Sequence, residues 1–204
     1  MVSRSWPTQA RRISDDSGLS LTELMVVIAL MGIVMATAYM FIFAANASQA
    51  VADRESALSR AVSLPLQTME RLMVQNSAID PNMSPGHYNV TILTDQNADD
   101  TLEQHTFSAV RDSATGEGYV NLLTYLMDAN GSRVGAAIKN INIARDNSNV
   151  RDNVQLFRYY DKTGTEITDM GAVSEHARSL VVQLRVTVDG RSETHTDTIT
   201  FRNR

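Results

Sequence analysis

The sequence contains no cysteine. This excludes disulfide bonds, thiolate metal sites and cysteine nucleophiles. It also has no GxSxG segment, no phosphate-binding glycine loop and no dinucleotide fingerprint, which are the usual markers of hydrolases and nucleotide enzymes. The four histidines are scattered and form no HExxH pattern: His87, His105, His176 and His195. We therefore predict that the chain is not an enzyme.

Basic residues are too few for a nucleic-acid-binding protein. The formal net charge is -5 at pH 7, and an acidic chain is a poor partner for the phosphate backbone. We expect no direct nucleic-acid partner. Hydrophobic residues make up 43% of the chain, and outside the N-terminal region they alternate with polar residues. That pattern is typical of a folded domain with one solvated sheet face rather than a disordered chain.

Charge is absent from one long run near the N-terminus. The 22 positions from Leu24 to Ala45 carry no charged residue, and as a helix they span about 33 Å, close to the hydrocarbon thickness of a bilayer. The hydrophobic region of a secretory signal peptide is shorter, about 7 to 15 residues. Arg4, Arg11 and Arg12 precede the run, so the positive-inside rule predicts a cytoplasmic N-terminus and a periplasmic head.

The run is preceded by a glycine and, five residues later, a glutamate. The stretch "GLSLTE", residues 18 to 23, followed by the uncharged run, resembles the type IV prepilin N-terminal segment. The resemblance implies that prepilin peptidase cuts the Gly18–Leu19 bond and that Leu19 is then N-methylated. The family usually has Phe or Met at the first mature position, so Leu19 is a modest departure.

Glu23 is the residue that separates this segment from a simple anchor. A carboxylate at the edge of hydrocarbon costs a few kcal/mol when it has no partner. The resemblance implies that the new amine of Leu19 on one subunit approaches Glu23 of its neighbour in a stack of helices. Because an unpaired buried charge is strongly penalised, Glu23 is expected to set the register of assembly rather than add much stability.

Helical periodicity continues beyond the uncharged run. Apolar residues recur along one predicted face at spacings of three, four and seven, which is typical of an amphipathic helix. They are Val51, Leu58, Val62, Leu66, Met69 and Met73. We predict a helix from about Leu21 to about Ser77, kinked or loosened at Pro65, whose second half packs on its own head; a partner surface is the alternative.

After Pro85 the periodicity becomes two, which predicts strands. Alternating runs include Ala137 to Ala144, with a phase slip that indicates a bulge, and the region from Val154 to Tyr160. Asp189-Gly190, between two alternating runs, is a strong hairpin signal. The predicted fold is α+β and pilin-like, a long N-terminal helix packed on an antiparallel β-sheet head. The predicted segments are a leader (1–18), a transmembrane and assembly half-helix (19–46), an amphipathic half-helix (47–78) and a β-rich head (79–204).

One oxygen-rich stretch is a weak calcium candidate. "RDNSNVRDN" contains Asp146, Ser148 and Asp152, and calcium takes six to eight such oxygen ligands. The stretch lacks the central glycine and terminal glutamate of an EF-hand loop, and Asn and Asp also favour ordinary turns. We expect no cofactor, with calcium as the alternative.

The resemblance implies a structural function. The leading hypothesis is a minor subunit of a type IV pilus-like filament, held as a single-pass protein in the inner membrane before assembly. The expected partners are prepilin peptidase, other pilin or pseudopilin subunits and an inner-membrane assembly platform. One alternative is a minor pseudopilin of type II secretion or of DNA-uptake machinery. The other is an uncleaved, membrane-anchored binding domain.

Overall fold

A helix of 54 residues, α1, runs from Leu21 to Val74. The computed structural model describes residues 20–74, 78–95 and 101–201, so the predicted end near Ser77 lies outside the described residues. The helix continues through Pro65, where a kink or loosening was expected. The chain divides into two units, Met1–Val51 and Ala52–Arg204. The four segments predicted from sequence stay predictions.

The buried face of α1 begins later than the sequence suggested. Leu58, Val62, Leu66, Met69 and Met73 are buried, as the periodicity predicts, and Pro65 and Leu72 join them. The prediction for Val51 was wrong, because its side chain is 44% exposed. Packing begins only at Leu58, two turns further along the helix.

The unit Ala52–Arg204 contains two antiparallel sheets rather than one. The first has the strand order β1-β2-β3-β4-β5 and the second the order β6-β7-β8. The α+β prediction is confirmed, and two sheets make up the head. The strands are β1 (Ala78–Ile79), β2 (Asn89–Thr94), β3 (Glu103–Arg111), β4 (Gly118–Met127), β5 (Arg133–Arg145), β6 (Phe157–Tyr160), β7 (Ser179–Val188) and β8 (Arg191–Thr200).

One hydrophobic core joins the second part of α1 to both sheets. The helix contributes Val62, Leu66, Met69, Leu72 and Met73 to it. The large, fully buried members from the strands are Ile79, Ile92, Phe107, Leu122, Phe157, Tyr159, Leu180 and Leu184. The alternation of apolar residues along β7, whose even-numbered positions from Leu180 to Val186 are buried, explains how this strand covers the core.

The strand β5 behaves differently from its sequence pattern. A register irregularity against β4 confirms the predicted bulge region, but Ile138 and Ile141 are 56% and 41% exposed. These two isoleucines stay outside the core, which β5 joins near its C-terminal end with Ala144.

Two other elements depart from the sequence interpretation. The region predicted to start a strand at Val154 forms one only from Phe157 onward, since the N–H groups of Leu156 and Phe157 both donate to the carbonyl of His87. A short 3₁₀ helix (Met170–Ala172) and a one-turn helix, α2 (Val173–His176), were not predicted.

The Asp189-Gly190 hairpin is confirmed. Both residues have positive φ, 50° and 77°, and they join β7 to β8 in register from Val188 opposite Arg191 onward. A two-residue turn with positive φ at both positions matches the twist of the flanking strands, and Asp-Gly adopts it at low cost.

Candidate functional site

Glu23 lies in the first turn of α1 and closes the N-terminal end of the helix. The Ser20 N–H donates to Glu23 Oε2 at 3.0 Å, and the Glu23 N–H donates to Ser20 Oγ at 3.2 Å. This reciprocal pair is a capping box, which satisfies two backbone donors that no helix carbonyl can reach. The carboxylate at the predicted assembly position therefore also has a role within its own helix.

The helix that follows Glu23 exposes its apolar side chains. One stretch of α1 is long and apolar enough to cross a membrane, and none of it is buried. Every large apolar side chain of the uncharged run is at least half exposed, and Tyr39 and Phe41 reach 74% and 77%. Apolar surface of this extent is covered by lipid or by other helices.

One comparison with known proteins finds a match, and it lies in this segment. The model of the prokaryotic N-terminal methylation motif matches residues 13–39, which contain the predicted cleavage site, Glu23 and most of the uncharged run. Residues 13–39 are thus similar to the N-terminal segment of type IV pilin-like proteins. No curated protein and no solved structure matches it significantly.

Type IV pilin-like proteins are structural rather than enzymatic, and the motif at residues 13–39 is typical of them. It implies processing by prepilin peptidase, anchoring in a membrane and assembly with other pilin subunits. Gly18 and Leu19 lie outside the described residues, so the cleavage bond, the methylation site and the intersubunit role of Glu23 stay predictions.

Hydrogen bonds and ion pairs within the protein hold residues of the predicted calcium loop. Ser148 is 2% exposed, and its hydroxyl accepts a hydrogen bond from Thr187. The Asp152 carboxylate lies 2.8 Å from both Arg151 and Arg185, and these two guanidinium groups hold its pKa well below the usual range. Asp146 is exposed, with a φ of 56°.

The three calcium candidates therefore differ in how available their oxygen atoms are to a calcium ion. Asp152 is already neutralised by two cations, and Ser148 is committed to a neighbouring strand. Across the described residues no cluster of three or more His, Cys, Asp or Glu side chains is suited to a metal ion. Calcium binding at this loop stays a prediction.

Two of the histidines make specific contacts. His195 lies on the exposed strand β8, with Nε2 2.7 Å from Glu193. His105 is buried, with its ring nitrogens 3.0 Å and 2.9 Å from the hydroxyls of Thr94 and Thr124. Burial, with a smaller contribution from Lys139, lowers the pKa of His105 to about 4.

Sequence reasoning missed two of these features. The cap of α1 has a recognisable signal, since Ser20-Leu21-Thr22-Glu23 fits the S-x-x-E pattern that precedes an apolar helix. The buried position of His105 has no such signal, because its partners Thr94 and Thr124 come from two different strands.

Proposed function

We propose that this chain is a minor structural subunit of a type IV pilus-like filament, cleaved after Gly18, methylated at Leu19 and assembled through the first half of α1. The observation that carries the proposal is the combination of the motif match over residues 13–39 with a fully exposed, uncharged helical run directly after Glu23. The absence of cysteine, which many major pilins pair in the head, favours a minor subunit.

The mechanism is structural. The membrane stores the apolar part of α1, and assembly transfers that surface from lipid to neighbouring helices in the filament. The arginines before the cleavage site favour an N-terminus in the cytoplasm and a head in the periplasm. Energy for assembly comes from a separate machine.

Glu23 changes partner in this proposal. Before assembly, its carboxylate accepts the hydrogen bond of the Ser20 N–H within the same helix. In the filament it pairs with the methylated amine of Leu19 on the adjacent subunit. Two opposite charges that meet in a water-poor environment attract strongly and fix one register.

The first test is the mass of the N-terminal peptide of protein purified from membranes of cells with active prepilin peptidase. We expect a chain that begins at methylated Leu19. Gly18→Val should abolish this processing, while Gly32→Val, inside α1, is the matched control, since an added Cβ there meets no other atom within 4 Å. A wild-type chain that still begins near Met1 would favour the uncleaved, membrane-anchored binding domain.

The second test separates the two roles of Glu23. Gln also serves at the last position of the S-x-x-E/Q capping box, so Glu23→Gln keeps the cap and removes the charge. Ser20→Ala removes the hydroxyl acceptor and keeps the charge. We expect normal cleavage in both variants, but loss of incorporation into sheared or co-sedimented filaments only in Glu23→Gln. Loss only in Ser20→Ala would show that the cap, rather than the charge, is required, and equal loss in both would show that both are required.

A further inference from the structure

The longest unprotected sheet edge of the described head is β5. It has 13 residues and pairs only with β4. The opposite edge of the same sheet, β1, has two residues. In the second sheet, β6 is short, and β8 presents a row of exposed hydroxyl side chains: Ser192, Thr194, Thr196 and Thr198. A free edge offers backbone donors and acceptors to another chain.

Exposed apolar side chains concentrate on the same strand. In the described part of Ala52–Arg204, five large apolar side chains are exposed, and three of them belong to β5. The three on β5 are Val134, Ile138 and Ile141, and the other two are Leu64 and Leu102. Clustered exposed apolar groups mark an interaction surface, whereas isolated ones do not.

A cavity of about 260 Å³ lies between α1 and β5. Arg71 from the helix and Lys139 from the strand both line it, together with Ile138 and with the acidic Glu103 of β3. We call the surface formed by Arg71, Ile138, Lys139 and Ile141 the β5 flank. Its two cations outnumber the carboxylate of Glu103 and adjoin Ile138, so it suits a segment that carries both acidic and apolar side chains.

The charges of β5 disfavour its pairing with β5 of a second copy of the chain. The strand carries Arg133, Lys139 and Arg145 and no acidic residue. Antiparallel pairing of two β5 strands about their centre would place Lys139 opposite Lys139 and Arg133 opposite Arg145. Like charges directly opposite each other destabilise a strand pair, so charge complementarity indicates an acidic partner.

Resting on the proposed function as a filament subunit, we propose that the β5 flank docks an extended, acidic segment of a different subunit. The segment adds its backbone to the edge of β5. It places an acidic side chain near Arg71 and Lys139 and an apolar side chain, two residues away, against Ile141. Lys139 and Ile141 share one face of β5, since they lie opposite Thr124 and Leu122, both buried, on β4.

The test uses the full chain in detergent micelles and a synthetic peptide, TVTETVTET, as the probe, with TVTKTVTKT as the control. Hydrogen exchange read by mass spectrometry locates protected amides, and fluorescence anisotropy gives the affinity. We expect the acidic peptide to protect β5, and to bind about tenfold or more tightly than the basic one, with weaker binding at high salt.

Charge reversal supplies the matched control. Lys139→Glu should weaken the acidic peptide about tenfold or more and improve the basic one. Lys162→Glu, at the chain's only other lysine, should change neither affinity. Circular dichroism checks the fold of each variant, and Ile141→Asn replaces Lys139→Glu if the latter does not fold, with the same weakening of the acidic peptide expected.

Three outcomes would overturn the proposal. They are equal affinity for the two peptides, protection outside β5, and concentration-dependent protection of β5 without peptide, which would make a second copy the occupant. None of these depends on cleavage. An N-terminus at Leu19 with no peptide binding would remove the docking proposal alone, and an uncut N-terminus would remove the filament function.

Discussion

At the residue scale, His105 shows how burial sets the chemistry of a titratable group. It is 3% exposed, its ring bridges Thr94 and Thr124, and Glu103 Oε2 lies 3.3 Å from Nε2. Desolvation nevertheless dominates and, together with Lys139, lowers the pKa from 6.5 to about 4. The ring is therefore neutral in the folded protein at pH 7.

This lowered pKa predicts an acid-sensitive stability. His105 binds a proton near pH 6.5 in the unfolded chain and only near pH 4 in the folded chain. The free energy of unfolding therefore has its full value above pH 6.5 and falls as the pH decreases from 6.5 to 4. From pH 7 to pH 5 we expect His105 to account for a loss of about 2 kcal/mol in the free energy of unfolding. Urea unfolding at both pH values measures it.

The control for this prediction is another histidine. His105→Gln keeps a polar side chain of similar length. It should reduce the decrease in the free energy of unfolding between pH 7 and pH 5. His195→Gln, on the exposed strand β8, should leave the slope of the wild type. An unchanged slope in His105→Gln would contradict the assignment.

Residues differ in how far sequence could predict their roles. Glu23 was identifiable because its evidence is local: a glycine five positions before it and an uncharged run after it. The Asp189-Gly190 turn was equally local. The pairing of Asp152 with Arg185, 33 residues away, depends on how a loop meets β7, and no spacing in the sequence contains that information.

At the element scale, a loop takes the place of a strand along β7. The strand β6 covers β7 only from Ser179 to Val182. Beyond it, Ser148 N–H donates to the carbonyl of Arg185, and Asn147 forms a bridge with Val186. The stretch interpreted as a calcium candidate thus pairs with the part of β7 that β6 does not reach.

Asn149 is the centre of that contact. It is fully buried, its side-chain oxygen accepts from the Arg185 and Asn147 nitrogens, and its nitrogen donates to the carbonyls of Gln183 and Val154. Asn149→Ala should cost about 2–4 kcal/mol, because buried backbone groups lose their partners. Urea unfolding measures the loss. Asn142→Ala, at an exposed position, should change stability by less than about 0.5 kcal/mol.

The strand β5 shows that alternation alone does not tell which of its isoleucines are buried. Its alternation of isoleucine with polar residues matches the strand pattern, but periodicity reports only that apolar groups share a face. Whether that face is covered depends on which elements pack over it. Ile79 of the edge strand β1 is buried, whereas Ile138 and Ile141 of the edge strand β5 are exposed.

At the scale of the whole molecule, the second part of α1 belongs to the fold of the head. The unit Ala52–Arg204 includes the helix from residue 52 to 74, and five of its side chains enter the shared core: Val62, Leu66, Met69, Leu72 and Met73. Burial of a large apolar side chain contributes about 1.5–3 kcal/mol. Five of them together rival the whole stability of an ordinary domain, about 5–15 kcal/mol.

We therefore predict that the fragment Ala52–Arg204 folds without the apolar run and that a fragment of residues 79–204 does not. Circular dichroism in urea should show one cooperative transition for the first and none for the second, because the core-facing sides of both sheets would lose the helix that covers them. Within the first fragment, Met69→Ala should cost about 2–5 kcal/mol, while Glu70→Ala, on the exposed side of the same turn, should change little. A cooperative transition in residues 79–204 would mean that the sheets are stable by themselves and that the helix is only a tether.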